Sequence, residues 1–189
     1  QISGTLTIPQ GRSVTINHGD MVFSQCAKIV VKSRALLTIK NSNLRSCNGL
    51  WQGVIYKQNS NVEVEYSKIQ DAQAGIEANA PESVTIQYST FTDNVHHMLL
   101  RDLPQRPQSP QAYKIRGNQL DKIRCKQPSN LQCSRSFPAW TYTCNMINIG
   151  VRDAVTGFSD EADIRNNDFT GNTELNDKSR GIVYHKVDG

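Results

Sequence analysis

Apolar residues recur along this chain at alternate positions in short bursts, and the bursts share one plan. Leu37-Thr-Ile39-Lys-Asn-Ser42-Asn-Leu44 is followed by Val62-Glu-Val64-Glu-Tyr66-Ser67-Lys-Ile69 and Val84-Thr-Ile86-Gln-Tyr88-Ser89-Thr-Phe91. Tyr113-Lys-Ile115-Arg-Gly-Asn118-Gln-Leu120 and Ala162-Asp-Ile164-Arg-Asn-Asn167-Asp-Phe169 complete the series. All five read apolar-x-apolar-x-x-Ser/Asn-x-apolar. Alternation is the mark of a strand with one buried face. The two polar residues that follow break it, and the Ser or Asn can hydrogen-bond backbone at a bend. The next apolar residue then points inward again. Successive copies begin 25, 22 and 29 residues apart, and the last interval, 49 residues, fits two coils or one coil with a large insertion.

A second signal follows each copy. Gln52-Gly53-Val54-Ile55-Tyr56, Ala74-Gly75-Ile76-Glu77-Ala78 and Arg180-Gly181-Ile182-Val183-Tyr184 place Gly before an apolar residue, where a sharp bend would exclude a side chain. Asp93-Asn94-Val95-His96-His97-Met98 stands at the same place in its own coil. Earlier short segments, Leu6-Thr-Ile8, Val14-Thr-Ile16, Met21-Val-Phe23 and Ile29-Val-Val31, read as one or two atypical terminal coils. A sandwich has no reason to repeat a motif at near-constant spacing, and helix signals are almost absent. The expectation is a helix of strands in which like residues stack at ~4.8 Å. Its apolar positions form columns, and Ser42, Ser67, Ser89, Asn118 and Asn167 form a polar ladder.

Composition narrows the picture. The 189 residues suit a single domain, taken as 1–189, and 37% hydrophobic with 20% charged residues is globular rather than disordered. A mean hydropathy of -0.52 makes pattern more important than total. The net charge of +4 is spread along the chain, which gives no reason to expect a nucleic-acid partner. No stretch nears the ~18 apolar residues of a membrane span. The opening QISGTLTIPQ is already strand-like, so the chain reads as part of a longer protein.

Cys26, Cys47, Cys125, Cys133 and Cys144 are disulfide candidates. They lack C-x-x-C pairs, which argues against zinc. Cys26 and Cys47 are 21 residues apart, near the repeat length, and could lie on adjacent coils. The other three crowd into irregular sequence that a disulfide would staple. Two bridges and one free thiol would fit an oxidising compartment; buried reduced cysteines are the alternative.

The Val-x-Ile-x-x-Ser-x-Phe copies resemble the parallel β-helix repeat of the pectin-lyase-like superfamily. The opening GTLTIPQGRSVTINHGD, with AKIVVKSRALLTIKNSNLRSCNGLWQGV, is similar to bacterial secreted surface repeat proteins, many exported by type IX secretion. In those a Trp-x-Gly-apolar segment follows the first full coil, here Trp51-Gln52-Gly53-Val54. The resemblance implies an all-β, right-handed, single-stranded parallel β-helix; Pro- and Gln-rich sequence near 101–112 and the cysteine-bearing stretch near 121–145 read as loop insertions into it. It also implies a secreted or cell-surface location. It leaves function open, because the scaffold carries lyases, hydrolases, epimerases and adhesive proteins.

Catalytic constellations are hard to find. Calcium needs converging oxygens, and Asp160, Glu161, Asp163 and Asp168 read better as solvated turns. Arg101-Asp-Leu-Pro104-Gln-Arg106 is similar to the Arg-x-Pro-x-x-Arg motif of pectate lyases, but at the wrong spacing. Glu63 and Glu65 lie on the outward face of one strand, a solvent-facing row rather than the paired carboxyls of a glycosidase. Adjacent His96 and His97 point in opposite directions, so they make a poor metal pair, although the exposed one could serve as a general base. No cofactor or metal is expected.

Aromatics are better binding candidates. Trp51 could stack on a sugar ring, although burial under a loop is the stronger reading. Tyr66 and Tyr88 occupy identical places in successive copies and could form a platform on one outer corner, or simply shield the ladder from water. The insertions add Phe137, Trp140 and Tyr142 to a cysteine-rich stretch. Loops inserted on one face of a solenoid often form its binding face. The expectation is a non-enzymatic surface, adhesive or scaffold module that meets a polysaccharide, a cell-surface component or other subunits. A carbohydrate lyase, hydrolase or epimerase is the alternative, and a ligand-free stalk is a third.

Overall fold

The computed structural model describes residues 1–103, 113–123, 145–152, 163–170 and 180–187. They form nineteen strands, three to a coil. The first coil holds β1 (Thr5–Ile8), β2 (Ser13–Asn17) and β3 (Asp20–Phe23), and the second β4 (Lys28–Val31), β5 (Leu36–Lys40) and β6 (Asn43–Ser46). Next come β7 (Trp51–Tyr56), β8 (Asn61–Glu65) and β9 (Lys68–Gln70), then β10 (Ala72–Asn79), β11 (Ser83–Gln87) and β12 (Thr90–Asn94). The later coils hold β13 (His96–Leu103), β14 (Tyr113–Arg116), β15 (Gln119–Ile123), β16 (Asn145–Arg152), β17 (Asp163–Arg165), β18 (Asp168–Thr170) and β19 (Arg180–Val187).

Each strand from β1 to β16 pairs in parallel with the strand three places later. Three sheets result: a first of seven strands from β1 to β19, a second of six from β2 to β17, and a third of six from β3 to β18. This is a parallel β-helix, and its register is the one read from the repeat. Leu37 lies beside Val62, Val62 beside Val84, and Val84 beside Tyr113. Ile115 pairs directly with Ile164, so the 49-residue interval is one coil carrying a large insertion.

Alternation explains the core. Leu37, Ile39, Val62, Val64, Val84 and Ile86 turn inward from the second sheet and meet Leu44, Ile69 and Phe91 from the third. Each aliphatic side chain buried this way contributes about 1.5–3 kcal/mol. The first coil is atypical as expected, with Val14 36% exposed and Leu6, Ile16 and Met21 only partly buried.

Three sequence readings change. Gly53 is required by crowding rather than by a bend: at φ 96°, a Cβ there would lie 1.6 Å from the Ala74 carbonyl oxygen of the next coil. Arg101–Leu103 finish β13 and belong to no insertion, and Asp121–Ile123 likewise finish β15. The remaining insertion segments, 104–112 between β13 and β14 and 124–144 between β15 and β16, lie outside the described residues, with Cys125, Cys133 and Cys144. Finally, Cys47 keeps a free thiol, which accepts a 3.0 Å hydrogen bond from Gln1 Nε2, so it does not bridge to Cys26.

Candidate functional site

The bend between the second and third sheets is built from two adjacent residues per coil. The inner one forms the ladder. Gly19 N–H donates to Ser42 Oγ (3.0 Å), Ser42 N–H to Ser67 Oγ (3.1 Å), and Ser67 N–H to Ser89 Oγ (3.2 Å). Ser89 N–H donates to Asn118 Oδ1 (3.0 Å) and Asn118 N–H to Asn167 Oδ1 (3.1 Å). The hydroxyls of Ser42, Ser67 and Ser89 donate in turn to the carbonyls of Lys40, Glu65 and Gln87. Ser42, Ser67, Ser89 and Asn118 are therefore buried without loss.

The outer residue, immediately before it, turns the chain in the left-handed region: His18 (φ 54°), Asn41 (47°), Tyr66 (49°), Tyr88 (50°), Gly117 (66°) and Asn166 (55°). Gly and Asn tolerate this conformation. For a bulky aromatic it is uncommon and costs on the order of 1–2 kcal/mol. Tyr66 and Tyr88 nevertheless hold it while 60% and 51% exposed. Their rings stack at 5.2 Å between centroids and 15° between planes. Tyr88 rests on Gly117, where a Cβ would come within 2.7 Å of the ring.

Beside the stack runs an open groove of ≈ 730 Å³. Its other wall is the outward column Asp20, Asn43, Lys68 and Thr90, which parallel pairing sets side by side on β3, β6, β9 and β12. Asn43 Nδ2 donates to Asp20 Oδ1 at 3.1 Å. Arg45 donates to both Asp20 oxygens, from Nε at 3.3 Å and Nη2 at 3.2 Å. That hydrogen bonding from Arg45 holds the Asp20 carboxyl below its ordinary range. The contact with Asp20 fixes which end of the Asn43 amide is NH2. Its Oδ1 is left buried and without a hydrogen-bond partner.

The other candidates fare differently. Trp51 is fully buried, so it is not available to a sugar. Its ring stacks on Phe23 at 4.2 Å and its Nε1–H donates to the Gln70 carbonyl at 2.8 Å. Tyr56 is buried too, with its hydroxyl donating to the Leu37 carbonyl, and burial pushes its pKa up. Trp140, Tyr142 and Phe137 lie outside the described residues, as do Asp160 and Glu161.

Neither histidine is exposed, contrary to the expectation of one accessible imidazole. His97 turns inward, where Asn94 Nδ2 lies 3.1 Å from its Nδ1, and desolvation lowers its pKa to about 3. Asn94 Oδ1 accepts from Ala72 N–H, so its Nδ2 is the donor and His97 Nδ1 the acceptor. His96 lies on the opposite side of β13, also buried, with a pKa lowered by desolvation to about 4. Glu63 and Glu65 both pair with Lys40 at 3.3 Å, and Thr38 donates to Glu63 at 2.6 Å. Among the described residues, no three His, Cys, Asp or Glu side chains gather as a metal site would need.

The family model of a right-handed β-helix region matches residues 4–169. The chain belongs to that family. No curated protein and no solved structure matches it. The right-handed β-helix accounts for the ladder and the columns, but a shared scaffold does not select a ligand or a reaction. What distinguishes this member must be sought in side chains that the coil does not need.

Of the groove residues, the sequence pointed to only the tyrosines as binding candidates, with Ser42 and Ser67 read as ladder. Asp20, Asn43 and Lys68 went unnoticed because they are ordinary polar residues at strand starts. A signal existed: each stands one place after the ladder residue, and His18, Asn41, Tyr66 and Tyr88 stand one place before it. The repeat therefore already aligned both walls.

Proposed function

We propose that this chain is a non-catalytic surface module that binds glycans at the corner formed by Tyr66, Tyr88, Asp20, Asn43 and Lys68. The observation that carries this reading is the stacked, half-exposed tyrosine pair held in a left-handed turn. Asparagine at the same place in neighbouring coils would turn the chain at lower cost, so folding does not call for tyrosine there. Strain and exposed aromatic area at one point are a reason to look for a ligand. A sugar has an apolar ring face that an aromatic can cover and a rim of hydroxyls that needs donors and acceptors. The groove offers both, with the Asn43 amide oxygen ready to accept and Lys68 and Asp20 beside it.

The setting we infer is the exterior of a bacterial cell, reached by the type IX export that the opening residues resemble. The partner would be a polysaccharide or cell-surface component, and the chain would work within a larger protein.

A second reading, a polysaccharide-active enzyme, has one observation in its favour. Glu77 alternates with inward Ile76 and Ala78 and is only 1% exposed, yet it is paired with Arg101 on the next coil. The test is to screen the protein against linear neutral and acidic oligosaccharides, measuring binding and reducing-end release with and without calcium. Binding without release, reduced at least about tenfold by Tyr66→Ala, is expected, a loss of ~1.4 kcal/mol. Release that disappears in Glu77→Gln would replace this reading with the enzymatic one.

A further inference from the structure

The tyrosine column is open at one end only. Tyr88 is seated on Gly117, so that side of the stack is closed. On the other side the next corner residue is Asn41, whose short side chain turns away from the stack and donates from Nδ2 to Asn17 Oδ1 at 3.2 Å. The groove is the space this leaves, and Asn41 and His18 are part of its lining. The corner residues repeat at the ~4.8 Å coil spacing, close to the 5.2 Å between the two rings. One more ring above Asn41 would continue the column.

We propose that a pyranose ring of the ligand takes this place, lying on the open face of Tyr66 above Asn41 as the third member of the stack. This rests on the glycan-binding reading and gives it a location and a shape. An aromatic face attracts the carbon-bound hydrogens of a pyranose, while the hydroxyls lie at the ring's edge. Those on one side of the ring meet the Asn43 and Lys68 wall. The Asn43 amide oxygen, buried without a partner, gains a hydroxyl donor from the ligand.

The geometry supplies its own blocking variant. Asn41 has φ 47°, against 49° and 50° at Tyr66 and Tyr88, so a tyrosine at position 41 adopts a turn this fold already accepts. Asn41→Tyr would put the protein's own ring where the ligand's ring belongs, and Asn41→Gly would leave the place empty. Each is to be titrated with linear hexasaccharides of glucose, galactose, xylose and galacturonic acid, beside wild type and Tyr66→Ala, after thermal melting confirms folding. The expected result is at least about tenfold weaker binding for Asn41→Tyr, or ~1.4 kcal/mol, and a clearly smaller loss for Asn41→Gly, which trims the lining without filling the place. If Asn41→Tyr binds as wild type while Tyr66→Ala does not, the ring lies elsewhere on the tyrosines and this proposal is overturned. If Tyr66→Ala and Asn41→Tyr both bind as wild type, the corner is not the site, and both readings fall. Should Asn41→Tyr not fold, Asn41→Phe and Asn41→Trp put the same question.

Discussion

Two columns of residues run up the same corner of this solenoid, one place apart in every coil, and they obey different rules. The inner column, Ser42, Ser67, Ser89, Asn118 and Asn167, holds only small side chains that accept a backbone N–H from the coil before. The outer column, His18, Asn41, Tyr66, Tyr88, Gly117 and Asn166, has one backbone conformation and no common side chain. Where folding sets the requirement, the chemistry repeats. Where it sets only the turn, the chain is free, and it has used that freedom for two exposed aromatics.

The contrast can be broken from the inside. The largest effect should come from acid. Burial lowers His96 and His97 to about 4 and about 3, below the ~6.5 of an unfolded chain. Between those values the unfolded chain takes up protons that the folded one refuses. Stability is therefore full above pH 6.5 and falls as pH drops toward 4 and below, by several kcal/mol at order of magnitude. Denaturant melts across this range should show it, and His97→Gln should flatten part of the slope.

Next is the ladder itself. Asn118→Ala leaves the Ser89 N–H unmatched in the interior and removes the amide hydrogen bond to the Ile86 carbonyl. We expect a loss of about 1–3 kcal/mol in chemical denaturation, from one unsatisfied buried group. Asn118→Ser, the residue used in neighbouring coils, should recover much of it.

A change in the outer column should cost less stability and should also reach binding. Gly117→Ala forces a Cβ against the Tyr88 ring and into a left-handed turn, so about 1 kcal/mol of stability and some glycan affinity should go together. The smallest effect is expected on the second sheet's surface. Lys40→Met removes a cation paired with Glu63 and Glu65, yet all three are partly solvated, and the melting midpoint should stay within experimental scatter.

Much of the fold was legible in the sequence because a solenoid writes its contacts as a period. Val62 over Val84 and Ser67 over Ser89 could be read as neighbours without knowing any angle. Close approach between coils was not legible, and Gly53 looked like a bend for that reason. Exposure on the first sheet was also hidden: alternation put His96 and His97 on opposite sides, but not that both sides are covered. At the corner the tyrosines could be seen because they are large and repeat. The polar wall opposite them was aligned by the same repeat, but its residues are ordinary polar ones on four separate strands and did not stand out.

The central claim is that the outer column serves a ligand and the inner column serves the fold. It is tested most directly by one double variant, Tyr66→Asn with Tyr88→Asn, which installs the residue found at positions 41 and 166. Its melting temperature and its affinity for whichever oligosaccharide the wild-type protein binds should be measured on the same preparation. Unchanged or raised melting with binding lost is the result this account predicts. A marked drop in melting temperature with binding retained would contradict it, and would make the tyrosines a cover for the ladder.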